Sequence, residues 1–116
     1  VITIYGIKNC DTMKKAFNWL DEQHINYHFH NYKTDGLNAE QLQTLLDLLG
    51  WQTLLNTKGT TWRKLDEASR NCVVDETTAK AVMLENTSMI KRPILVNGQN
   101  AIAGFSAERY QQFFEN

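Results

Sequence analysis

Cys10 is the side chain of this sequence best placed to do chemistry. It follows Val1-Ile2-Thr3-Ile4-Tyr5, a β-branched run closed by Gly6-Ile7-Lys8-Asn9, and precedes a run from Asp11 to about Gln23. In that run Met13, Ala16, Phe17 and Leu20 recur at i, i+3, i+4 and i+7, which is one face of a helix. The thiol therefore falls where the carboxyl end of a strand turns into a helix. Unpaired N–H groups at a helix start favour an anion, so a thiol held there ionises more readily than a free one. Lys8, Lys14 and Lys15 add positive charge nearby, and Asp11 opposes them. Cys10 is read as a nucleophile; the competing reading is a small, inert core thiol.

Three other groups of residues bear on chemistry. His28 and His30 alternate with Tyr27 and Phe29, so they share one polar strand face; with no cysteine or carboxylate cluster to complete a metal site, a hydrated or hydrogen-bonded face is expected. Cys72 sits among Asn71, Val73 and Val74 with no helix start before it, and is read as a structural thiol. The loop from Thr57 to Thr61 leads into Trp62, Arg63 and Lys64, with Lys58 just upstream. Thr60 or Thr61 is expected to cap a helix there, and cations in its first turn either hold an anion or swing into water. The dipole penalty of about 0.3–1 kcal/mol is too small to decide between them.

The elements that position these groups follow from local pattern. The first helix is expected to stop near His24-Ile25-Asn26, on Asn26, and Tyr27–Tyr32 reads as a second strand, parallel to the first. Asn38 and Gln41 have capping-box spacing ahead of a stripe of Leu42, Leu45, Leu46 and Leu49 that ends at Gly50. Short helices follow, at Trp51–Asn56, around Leu65–Asn71 and from Asp75 to Asn86. Lys91–Val96 is an apolar strand opened by the only proline, Asn97-Gly98 marks a tight hairpin, and Ser106 caps a terminal helix. The order βαβ, helices, ββα implies an α/β class.

Composition narrows the setting. The chain has 116 residues, 42% of them hydrophobic, and a formal net charge of −1 with both signs interspersed. That suits a single domain over 1–116, with residues 38–86 a helical insertion, and it argues against nucleic acid or an anionic membrane as direct partners. No apolar run approaches the roughly 20 residues that span a bilayer. Two cysteines far apart form neither a disulfide framework nor a zinc spacing, so a reducing, cytoplasmic setting is expected.

Blocks of the sequence, in order, resemble a known family. Tyr5-Gly6-Ile7-Lys8-Asn9-Cys10, Gly59-Thr60-Thr61-Trp62-Arg63-Lys64-Leu65, Lys91-Arg92-Pro93-Ile94 and Gly104-Phe105-Ser106 are similar to the glutaredoxin-type arsenate reductase (ArsC) family, in its short YffB-like branch, related to Spx. The resemblance implies a thioredoxin-like fold, Cys10 as the redox cysteine, and a cis Arg92–Pro93 bond beside it. It assigns Lys8, Asn9, Lys58, Arg92 and Pro93 to holding substrate or glutathione.

The departures carry information too. Members that reduce arsenate use three arginines; here only Arg92 is present, Asn56 stands at the first position with Lys58 as a substitute, and the third falls near Gly104. Asn and Gly lack the bidentate fork that grips a multiply charged oxyanion, so arsenate reduction is expected to be weak at most. Spx-like regulators carry a Cys-x-x-Cys switch, whereas Cys10-Asp11-Thr12-Met13 puts methionine at the second position. The resemblance then implies a monothiol oxidoreductase with no bound cofactor, resolved by glutathione as co-substrate and acting on a small or protein disulfide. The alternative is a Spx-like protein that binds RNA polymerase without catalysis.

Overall fold

The computed structural model describes residues 2–115. In chain order the elements are β1 (Ile2–Gly6), α1 (Asp11–Glu22), β2 (His28–Asn31), α2 (Ala39–Leu49), α3 (Trp51–Leu54), α4 (Thr60–Arg63), α5 (Glu67–Asn71) and α6 (Glu76–Glu85). A 3₁₀ turn (Thr87–Met89), β3 (Ile94–Asn97), β4 (Asn100–Ala103) and α7 (Ala107–Glu115) complete it. Two compact units emerge: the residues up to Asp35 with those from Arg92 onward, and Gly36–Lys91. Among the described residues no helix is long and apolar enough to cross a membrane.

The first unit is a four-stranded mixed sheet in the order β2-β1-β3-β4. β1 runs parallel to β2, pairing Ile4 with Phe29, and antiparallel to β3, pairing Ile4 with Leu95 and Tyr5 with Ile94. One face carries a core of Ile4, Leu95, Met13, Ala16, Leu20 and Tyr110. The i, i+3, i+7 stripe of α1 thus lies on the central strands, and Trp19 meets the ring of Tyr110 edge-on at 5.6 Å, so α7 covers the same face. This βαβ–ββα arrangement, with a cis Arg92–Pro93 bond leading into β3, is the thioredoxin-like fold.

Three boundaries differ from the local reading. α1 ends at Glu22, and the stop is His24, in the left-handed region at φ 57, rather than Asn26. The Ile25 N–H donates to Leu20 O (3.0 Å) and the His24 N–H to Asp21 O (3.1 Å), a Schellman closure sealed because Leu20 and Ile25 join one apolar cluster. In the hairpin Asn97 pairs with Asn100, so the two central residues are Gly98 and Gln99 and not Asn97-Gly98; only Gly98 has positive φ (63), as a II′-type turn requires. Ser106 caps α7 as expected, accepting from the Arg109 N–H at 3.1 Å.

The second unit is helical. The Asn38–Gln41 capping box forms, with Asn38 Oδ1 accepting from the Gln41 N–H at 2.7 Å and Gln41 Oε1 from the Asn38 N–H at 3.0 Å. Leu42, Leu45 and Leu46 are buried, and Gly50 takes φ 83 where the helix ends. Asp75 caps α6 through the Thr78 N–H, and Ala79 and Met83 are buried on its inner face. The third correction falls on α4: Gly59, not a threonine, is its N-cap, with no side-chain cap, and the helix spans four residues. A Cβ on Gly59 would lie 2.8 Å from Asn56 Nδ2, the far end of that side chain. Arg63 and Lys64 then fall at the carboxyl end of α4, where cations complement the dipole, and the expected conflict at its start does not arise.

Candidate functional site

Cys10 is the N-cap residue of α1, with extended backbone (φ −142, ψ 130), and its side chain is partly exposed. Gly6 ends β1 and admits the first turn of α1: a Cβ there would stand 2.6 Å from Met13 Cε and 3.5 Å from Arg92 Cβ. The absence of a side chain at Gly6 therefore makes room for Met13 in the first turn of α1, while the Arg92 Cβ lies at ordinary contact distance. The pairing explains why Arg92 arrives there. With Tyr5 opposite Ile94 in antiparallel strands, the chain leaving β1 toward Cys10 runs beside the chain entering β3 from Arg92.

In the thiol form Cys10 makes no hydrogen-bonded cap. Partial burial pushes its pKa up, but the Met13 N–H, a hydrogen bond from Arg92, the Thr12 N–H and the Arg92 charge outweigh burial and hold the thiol below its ordinary value. Both backbone donors belong to the first turn of α1, whose N–H groups have no helical partner. Arg92 Nε is buried with no hydrogen-bond partner among the described residues. Behind it lies Tyr32, 3% exposed, its N–H donating to Gly6 O at 2.8 Å. Burial pushes the Tyr32 hydroxyl far up, Tyr5 adds to this and Arg92 opposes it, so it stays protonated. Tyr5 in turn contacts His30 (ring centroids 4.9 Å) and Tyr32 (6.4 Å).

Of the residues singled out from sequence, Cys10 and Arg92 meet, and Pro93 is buried beside Arg92, its carbonyl accepting from the Gly104 N–H at 2.8 Å. Lys8 and Asn9 are exposed in the β1–α1 loop. Lys58 belongs to the second unit, in the loop before α4, where its N–H donates to Asn56 Oδ1 at 3.2 Å. Cys72, also in the second unit, is the C-cap of α5 and is exposed, not packed as a structural thiol would be. Two neighbours had no local signal. Tyr32 looks like the end of an amphipathic strand, and Arg109 like a surface residue of α7. Yet Arg109 Nη1 lies 3.6 Å from where a Cβ on Gly104 would stand, so a cation reaches Gly104. Among the described residues no cluster of His, Cys, Asp or Glu is arranged to hold a metal.

Comparison with known proteins agrees with this geometry. The sequence profile of the ArsC family matches residues 5–113. A Haemophilus influenzae protein is 46% identical over 114 residues, covering 98% of this chain and 99% of its own. Solved structures include the protein YFFB, with a TM-score of 0.90, 48% identity and 97% of each chain covered. Another is an arsenate reductase (ArsC) related protein from Brucella melitensis, with a TM-score of 0.79, 48% identity, and 99% and 95% covered. The global transcriptional regulator Spx of Streptococcus agalactiae is 26% identical over 119 residues, covering 97% of this chain and 82% of its own. Matched over nearly its whole length, this chain belongs to the ArsC family, on the YffB-like branch and with the Spx regulators as more distant relatives.

Proposed function

We propose that the chain is a monothiol oxidoreductase that uses Cys10 as nucleophile and glutathione as the resolving thiol. One observation carries the reading: Cys10 sits at the start of α1 with Arg92 beside it, and Met13 occupies the position from which a second thiol in the same turn would act. The Cys10 thiolate attacks the glutathionyl sulfur of a mixed disulfide. A Cys10–glutathione disulfide forms, the substrate's S–S bond breaks, and the substrate leaves as a thiolate that takes a proton from solvent. A second glutathione thiolate then attacks that same glutathionyl sulfur, forming glutathione disulfide and returning Cys10 as thiolate. The net change is one mixed disulfide plus one glutathione giving one thiol plus one glutathione disulfide. Arg92 supplies positive charge for the tripeptide's carboxylates, and its backbone ahead of cis Pro93 offers the tripeptide's main chain a partner.

Mass spectrometry after incubation with oxidised glutathione tests the proposal. One adduct mapping to Cys10, removed by reduced glutathione, is expected; an adduct only on Cys72 sinks it. A second reading rests on the Spx relatives, which match along 97% of the chain: a protein that binds RNA polymerase and has no catalysis. It predicts that Cys10 titrates no lower than a free thiol and that no mixed disulfide is turned over. Arsenate reduction coupled to glutathione is expected to be weak, since Asn56 and Gly104 stand where arginines would be; robust turnover with arsenate contradicts that.

A further inference from the structure

Glutathione has no apolar side chain, yet an apolar groove shares Lys8 with the loop that leads from β1 to the proposed nucleophile. It has a volume of about 470 Å³ and is lined by Lys8, Phe17, Tyr27 and Phe29. Phe17 stacks on Tyr27 (centroids 5.6 Å, 16°) and meets Phe29 edge-on (5.0 Å, 75°), so the three rings brace one another. Each ring is only half-buried, which leaves contiguous aromatic surface open to solvent with a charged rim. The Tyr27 hydroxyl hydrogen-bonds the Asp21 carboxylate, and Lys8 has no ion-pair partner among the described residues, so the unengaged charge at the groove is positive. Lys8 is two residues from Cys10, which limits their Cα separation to about 7.6 Å.

We propose that this groove seats the leaving half of the substrate, a glutathionylated peptide in which an aromatic or branched aliphatic side chain and a carboxylate flank the modified cysteine. The apolar side chain lies on the Phe17, Tyr27 and Phe29 rings and the carboxylate pairs with Lys8. That assigns Lys8 to the peptide and leaves the glutathione moiety to Arg92. The inference rests on the glutathione-dependent reading and names the substrate class of that site; the chemical step is the one already written, with the peptide thiolate as leaving group.

The test compares four synthetic substrates with the intact protein and saturating glutathione. Three are blocked tripeptides glutathionylated on a central cysteine, Glu-Cys-Phe, Glu-Cys-Gly and Lys-Cys-Phe; the fourth is the mixed disulfide of glutathione and mercaptoethanol. The Phe peptide is expected to exceed the Gly peptide in kcat/KM by about tenfold or more, as an apolar pocket discriminates. The Glu peptide is expected to exceed the Lys peptide, and Lys8→Glu to reverse that order. Tyr27→Ala is expected to bring the Phe-to-Gly ratio toward one; because the ratio is taken within one preparation, loss of folded protein does not change it. Equal kcat/KM for the Phe and Gly peptides, with the mercaptoethanol disulfide still reduced, overturns the groove and leaves the glutathione chemistry standing. No turnover of any of the four overturns both.

Discussion

At Cys10 three donors act against partial burial, and the direction of the balance has measurable consequences. The Met13 and Thr12 N–H groups are fixed by α1, so Arg92 is the adjustable part. Arg92→Met is expected to move the pH midpoint of Cys10 alkylation upward and slow alkylation at neutral pH, with Arg92→Lys recovering part of the loss; an unchanged profile removes Arg92 from the site. The same shift links to stability. The folded chain releases the thiol proton at lower pH than the unfolded one, so its contribution is fully present above the unfolded thiol value and lost as pH falls through the folded value. The melting temperature of the wild type relative to Cys10→Ser is therefore expected to rise from about pH 5 to about pH 9. Tyr110 presents the opposite situation, a hydroxyl buried in the core with no hydrogen-bond partner among the described residues. Burial pushes its pKa far up, and the neutral hydroxyl still carries a desolvation cost. Tyr110→Phe keeps the ring contacts to Trp19 and Phe105 and is expected to gain on the order of 1 kcal/mol in denaturant unfolding. A loss of stability would mean that the hydroxyl is satisfied after all.

The helices owe their ends to short-range chemistry, and two ends can be tested separately. Asn38→Ala removes the side-chain acceptor of the Gln41 N–H in the capping box on α2, leaving the residue-38 N–H to donate to Gln41 Oε1, and is expected to cost about 1 kcal/mol. His24 closes α1 from the left-handed region, which disfavours any side chain, while glycine adopts it freely at some entropic cost in the unfolded chain. His24→Gly is expected to stabilise by about 0.5 kcal/mol, read as a small rise in melting temperature. A clear fall would assign the His24 side chain a contact beyond its backbone role. The short helix α4 shows the reverse case: its N-cap Gly59 has neither a capping side chain nor a positive φ, so a local propensity argument could not find it.

Across the sheet, β1 and β3 are paired on both sides while β2 and β4 are, among the described residues, its two outer strands. Ile4 and Leu95, fully buried and opposite one another, stand at the centre of that arrangement. Amide exchange is expected to be slowest in β1 and β3 and faster in the two outer strands, because edge amides open without unfolding the core. Equal protection in all four strands would show that β2 and β4 are covered at their outer edges.

The sequence by itself determined what three or four consecutive positions can decide. A β-branched run and a 3.6-residue stripe fix Cys10 at a strand-to-helix junction, Asn38-x-x-Gln41 and Ser106 fix helix starts, and the alternation of Tyr27 and Phe29 with His28 and His30 fixes which strand face is apolar. The cis bond and the pairing of Arg92 with Cys10 were legible only through the family resemblance, since nothing local marks them. What the tertiary structure alone decided are contacts between residues distant in the chain. Antiparallel registry of β1 with β3 brings Arg92 to the thiol, Gly6 makes room for Met13 of α1, and the crossover through α1 sets Phe17 against Tyr27 and Phe29. Helix caps and periodicities are energies of neighbouring residues and can be read along the chain. The acidity of Cys10 and the aromatic groove depend on which strands pair, and that is settled only when the whole core is buried at once.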